Sequence, residues 1–347
     1  MDIEKAIDLL KIYDSRFENA NSKKKAKRQL QKHPKILKRI AKFTLNGVDI
    51  GDIPFMCYSH LSRAATELIS DETVLVKLAL NSNRNFCRLA AVENPNLKDE
   101  EVLYHVVLRD DYVTCCKRAI EKIEKEEYLI KIALSRKPAI VRITAIGKIR
   151  NQEILKEIAL DESEIIDIRL TAIKNIFDDM FLNGIIESNA NPVLKKEAVK
   201  NIKDQDLIVQ IAKDKNLNET LRLIAIGKIA DEDLLIYFSK NPNPRIRLAA
   251  ISNPNLKDED VLMDIVKYEK DSKISLNALE KINNQDFICD VALHARHYGF
   301  GPVDKINNKN VLHELIKNDD GIGKGRLEEI SKLSRYRQLE LLKENRK

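Results

Sequence analysis

The chain has 347 residues, 44% hydrophobic and 33% charged, with 60 Lys+Arg against 54 Asp+Glu for a net charge of +6. No apolar run approaches the ~18 residues a membrane-spanning helix needs. The five cysteines, Cys57, Cys87, Cys115, Cys116 and Cys289, are odd in number and lack disulfide-like spacing, which fits a reducing cytosol.

In chain order, the opening MDIEKAIDLLKIYDSRF predicts an amphipathic helix over 3–19. It lacks the basic start and unbroken apolar centre of a signal peptide, so a cytoplasmic protein is expected. A second helix is expected over 23–42, and its start carries the densest basic cluster of the chain: Lys23, Lys24, Lys25, Lys27 and Arg28. Cations at a helix start oppose the dipole. The cluster is therefore a candidate site for an anionic partner, weighed against a solvated helix end that aids solubility.

From about residue 53 to residue 317 a helical unit recurs every 26 to 27 residues. One unit reads VRITAIGKIRNQEILKEIAL (141–160), another LRLIAIGKIADEDLLIYFSK (221–240). Three columns align. Asp71, Asp99, Lys125, Asn151, Asp178, Asp204, Asp231, Asp258, Asn284 and Asn308 stand where each second helix begins. All but Lys125 suit an N-cap, whose side chain accepts from the unpaired N–H groups of the first turn. Two residues earlier runs an apolar column, Ile69, Leu97, Ile123, Ile149, Ile176, Ile202, Ile229, Leu256, Ile282 and Ile306; four residues later runs another, from Leu75 through Leu155 to Leu312. First helices carry alanine (Ala65, Ala91, Ala119, Ala145, Ala172, Ala198, Ala225, Ala250, Ala278), which permits close helix approach. Cys115 and Cys116, adjacent on one such helix, read as core fillers.

Three residues before the alanine column stand Arg88, Arg142, Arg169, Arg222 and Arg247, with Lys195. They read either as a basic stripe for phosphates or, preferably, as a structural ladder in which Asp161 and Asp214, eight residues earlier, face Arg169 and Arg222. Two units, RLAAVENPNLKDEEVL (88–103) and RLAAISNPNLKDEDVL (247–262), agree at 13 of 16 positions and insert an Asn-Pro between the helices. Pro95 and Pro254 must end the first helix and bend the stack locally. Recent duplication explains the pair; a matched pair of functional loops is the alternative.

The remaining chemistry is sparse. Cys57/His60 and Cys289/His294/His297 offer metal-ligand types but not a four-ligand zinc spacing, so no metal and no cofactor is expected. The glycine-rich DDGIGKGR (319–326) departs from the phosphate-binding loop pattern and reads as a joint before a last helix over 326–344.

The short units with an Ala-Ile centre, a cap Asp/Asn and a V/I-R start resemble HEAT-like repeats of the short phycobilisome-lyase type, and NPNPRIRLAAISNPNLKDEDVL (241–262) resembles the leucine-rich repeat variant. The resemblance covers about 53–317 and implies scaffolds and adaptors rather than one activity. The expectation is an all-α, right-handed α-solenoid of about ten short helix–turn–helix repeats. Residues 1–52 would form a basic N-terminal helical cap, 53–320 the repeats and 321–347 a C-terminal capping helix. Function is expected to be a non-enzymatic, monomeric scaffold holding a protein on its concave face, lined by second helices. The alternative is nucleic-acid binding through the basic ends. An enzyme acting on nucleic acid or on a small molecule ranks third; with no Trp and 5% aromatics, base stacking has few candidates.

Overall fold

The computed structural model describes residues 1–15, 18–42 and 55–294. Every regular element among them is a helix, twenty-one in all. Three precede the repeats: Ile3–Asp14 (α1), Ala20–Gln31 (α2) and Pro34–Lys42 (α3). First helices of the repeats are Phe55–Glu67 (α4), Asn85–Glu93 (α6), Val113–Lys122 (α8), Ala139–Ile146 (α10), Ile166–Lys174 (α12), Pro192–Asn201 (α14), Glu219–Ile226 (α16), Pro244–Ser252 (α18) and Ser272–Leu279 (α20). Second helices are Glu72–Asn81 (α5), Glu100–Arg109 (α7), Glu126–Ala133 (α9), Gln152–Leu160 (α11), Asp179–Glu187 (α13), Gln205–Lys213 (α15), Glu232–Ser239 (α17), Glu259–Tyr268 (α19) and Gln285–His294 (α21).

The chain forms two compact units, Met1–Phe177 and Asp178–Lys347. In the first, α4, α6, α8, α10 and α12 stack in sequence, with α5, α7 and α9 stacked alongside; in the second, α14, α16, α18 and α20 do the same. This is a helical solenoid of short repeats, because within each unit a first helix packs on the second helix that precedes it and on the next first helix. Helices of 8–13 residues are marginal alone in water, so stacking supplies their stability.

The sequence columns form the core. Every described member of both Ile/Leu columns and of the alanine column is buried. The caps behave similarly: Asp99, Asn151, Asp178, Asp204, Asp231, Asp258 and Asn284 accept from the first turn. Lys125, as expected, does not. Asp71 also makes no cap bond, and its carboxylate is bonded to Lys38 from α3.

Two helix expectations are corrected. The first helix ends at Asp14, with Ser15 extended, and does not run to 19. The stretch 23–42 is two helices: Pro34 opens α3, and the chain turns at Lys32 and His33 because the residue before a proline is disfavoured in helix. The region 321–347, the 326–344 helix, Asn308, Ile306, Leu312, the 319–326 loop and His297 lie outside the described residues.

Candidate functional site

In the second unit, the C-terminal halves of α17 and α19 border a cleft of about 470 Å³. Val261, Ile265 and Tyr268 give it an apolar wall, while Lys240, Asp264 and Lys270 give it polar groups. One side of the cleft is closed by Arg247, whose Nε and Nη2 donate to the two oxygens of Glu269 at 2.7 and 3.0 Å. Its Nη1 donates to the carbonyls of Asn241 and Pro242 at the end of the preceding second helix. The bonds from Arg247 hold the Glu269 carboxyl below its usual range, against the opposing effect of burial. Beside this fixed clamp Tyr268 is open, 78% exposed, and Tyr237 on α17 is 64% exposed. Met180 on α13 is exposed as well.

The first unit has a counterpart of about 360 Å³ between the ends of α5 and α7. Arg88 occupies the position of Arg247, and it binds Asp110 through two bonds of 2.7 Å and the Ser82 carbonyl at 2.9 Å. Here the lining is polar, with Asn81, Ser82, Asn83, Arg109 and Asp111. Arg109 stands at the register position of Tyr268. Burial pushes the Asp110 carboxyl up, but the bonds from Arg88, the Tyr112 N–H and Cys115 outweigh it, and the net shift is downward. On the neighbouring second helices the rings of Tyr104 and Tyr128 stack with centroids 5.0 Å apart, and Lys125 and Lys131 lie over Tyr128.

The arginine ladder exists, but with a different acid from the one expected. Arg88, Arg142 and Arg247 each pair with a carboxylate 22 residues later, at Asp110, Glu164 and Glu269. Asp161 instead caps its own turn, accepting from the Ser163 N–H and hydroxyl, and Asp214 accepts from the Asn216 N–H. Arg169 and Arg222 donate Nε to the carbonyls of Ala159 and Ala212. The physical reason is the direction of the chain. The arginine lies between the ends of two second helices, and the turn after its own second helix brings the acid alongside.

Two further columns hold neighbouring repeats together. The residue after each cap bonds the backbone of the next repeat: Glu72 accepts from the Lys98 and Asp99 N–H groups, Glu126 from Arg150 and Asn151, Asp179 from Lys203 and Asp204, and Glu232 from Lys257 and Asp258. The second column closes the carbonyl end of the preceding first helix. Lys122 donates to the carbonyls of Val92, Asn94 and Leu97, and Lys148 to those of Ile120, Glu121 and Ile123. In the Asn-Pro repeats the buried Asn94 and Asn253 do this work, with Asn253 donating to Ile226 and Ile229. The asparagine of each Asn-Pro insertion is therefore used inside the stack, while Pro95 and Pro254 stay exposed. The signal for the first column was present in the sequence, as Asp, Glu or Gln directly after every described cap, but it reads there as ordinary helix-start preference.

The candidate cluster Lys23, Lys24, Lys25, Lys27 and Arg28 lies on α2, which begins three residues before it, capped by Asn19 accepting from the Ser22 N–H. The cations thus occupy the middle and end of the helix, and the expected conflict with the dipole is absent because that field fades within a turn. Lys24, Lys25, Lys27 and Arg28 are exposed and Lys23 half-buried. Cys115 and Cys116 are buried thiols; burial pushes the Cys115 thiol up, and that of Cys116 up to about 11. They are core, as their spacing suggested. His60 faces Asp14 at 3.8 Å. Among the described residues no group of three or more His, Cys, Asp or Glu could hold a metal.

No known family model matches the chain, and no curated protein is significantly similar to it.

Proposed function

We propose that this chain is a non-enzymatic binding scaffold of the HEAT-like repeat kind, holding a protein partner on the surface formed by its second helices. The observation that carries the reading is the set of exposed large side chains on those helices, Tyr237, Tyr268 and Met180, of which Tyr268 lines a partly apolar cleft. Tyrosine gives large contact area with little rotamer entropy to lose, and anchors of this kind dominate protein interfaces. Rigid support comes from the clamp of Arg247 and Glu269 beside it. No described helix is long and apolar enough to cross a membrane. A monomer acting in the cytoplasm is part of the proposal. The test is affinity capture from native lysate, with and without nuclease, using the parent and the Tyr237→Ala/Tyr268→Ala variant. A stoichiometric, nuclease-resistant protein that the variant loses supports the scaffold. Capture that disappears wholly on nuclease treatment sinks it.

A second reading, binding of nucleic acid by the basic N-terminal region, is favoured by the exposed cations of α2.

A further inference from the structure

The basic region is larger than the cluster on α2. Between Asn19 and Val48 the chain contains no Asp or Glu, yet holds Lys23, Lys24, Lys25, Lys27, Arg28, Lys32, Lys35, Lys38, Arg39 and Lys42. These ten cations exceed the net charge of +6, so the rest of the chain is net negative. The fold gathers nine of them on two consecutive helices, with Lys32 at the C-cap between. Ala26 and Leu30 turn α2 inward, and Leu37, Ile40 and Ala41 do the same for α3. Lys24, Lys25, Lys27, Arg28, Lys32 and Lys35 remain exposed, and none of them forms an ion pair among the described residues. Lys38, by contrast, is paired with Asp71.

We propose that the exposed face of α2 and α3 binds the phosphate backbone of duplex nucleic acid without sequence preference. Uncompensated cations in such density repel one another, and a polyanion relieves that repulsion while releasing its own condensed counterions. A membrane surface fits less well. Helices that lie in a bilayer interface bury an apolar face in it, whereas the core-facing Leu30, Leu37 and Ile40 are already buried in the protein. Single strands are also disfavoured, because residues 18–42 contain no Phe, Tyr or Trp on which a base could stack. Contact is then to phosphates alone, which position a protein but carry no base information. This inference does not rest on the scaffold reading, whose surface is the second helices.

The test is binding of the full chain to a fluorescent duplex of about 20 base pairs, to single-stranded oligo(dT), to poly-glutamate and to phosphatidylserine vesicles. If about six phosphates are contacted, duplex affinity should fall roughly a thousandfold between about 50 and 200 mM salt, equally for unrelated sequences. Replacing Lys24, Lys25, Lys27, Arg28 and Lys35 together by Gln should weaken duplex binding at least about tenfold and flatten the salt slope by about 4, while changing the four lysines to Arg preserves both. Absence of salt-sensitive duplex binding by the parent would overturn the proposal. So would undiminished binding by a Gln variant with parental circular dichroism, or tighter binding of poly-glutamate or vesicles than of duplex. Should the Gln variant lose its helical signal, the parent's salt slope and its ranking of the four probes decide the question.

Discussion

Arg88, Arg142 and Arg247 each lock a carboxylate, whereas Arg169 and Arg222, at equivalent places in the repeat, bond only the carbonyl that closes the preceding second helix. The difference lies outside the arginine. In the first group the residue 22 positions on is Asp110, Glu164 or Glu269; in the second it is Asn191 or Pro244, each of which serves the start of the next first helix instead. One column thus serves two chemistries. It always satisfies a helix end, and only where the following turn supplies an acid does it also tie that turn down.

The largest test of this comparison asks what the two kinds of repeat share. Leu155→Ala, in an acid-paired repeat, and Leu235→Ala, in a carbonyl-only repeat, should each cost about 2–5 kcal/mol in urea denaturation, because both leucines are fully buried. Losses that differed in kind, with one variant unchanged, would mean the arginine chemistry governs core packing. Next, Asp110→Ala should cost about 3 kcal/mol, since it strands Arg88 beside a buried gap. Glu219→Ala, which leaves the Arg222 bond intact and removes a half-buried acceptor of Asn243 and Arg245, should shift the urea midpoint less than Asp110→Ala does.

The same clamp sets an acid sensitivity. The folded Asp110 and Glu269 carboxyls sit below their ordinary values. Their stabilisation is therefore fully present above the unfolded carboxylate range of about 4, and is lost as pH falls through the lower folded values. An Asp110→Asn/Glu269→Gln variant should show a shallower decline of thermal midpoint below about pH 4 than the parent. A parallel decline would place the acid-labile groups elsewhere. Smaller again is the side-chain closure of first helices: Asn253→Ala should cost about 1–3 kcal/mol by removing the buried amide that donates to the Ile226 and Ile229 carbonyls. The smallest pair concerns the caps. Asp204→Ala should lose about 1 kcal/mol, and Lys125→Asp should gain a similar amount by supplying the cap bond that α9 lacks.

The architecture was legible because its signals are local. An apolar residue two before a cap and another four after it mark the core whatever the neighbours are, and a cap side chain reaches only its own first turn. Partners across repeats were not legible in the same way. Asp161 precedes Arg169 closely enough to suggest a pair, yet its carboxylate folds back on Ser163. Asp110 reaches Arg88 only because two second helices end side by side, which spacing does not reveal. Asp71 reads like every other cap, and nothing in its spacing shows that its carboxylate is bonded to Lys38, far away in sequence. The basic cluster was visible as composition, but its place on α2 depended on Asn19 starting the helix earlier and Pro34 dividing it from α3.

The bonds between repeats have one further consequence. Glu72, Glu126 and Glu232 accept from main-chain N–H groups, and Lys122, Lys148 and Asn253 donate to main-chain carbonyls. A main-chain partner is present whatever side chain the neighbouring position carries. Each repeat therefore presents a generic socket to the next, and a copied or relocated repeat would find its plug without any matching change. Such a chain can lengthen by copying and drift afterwards.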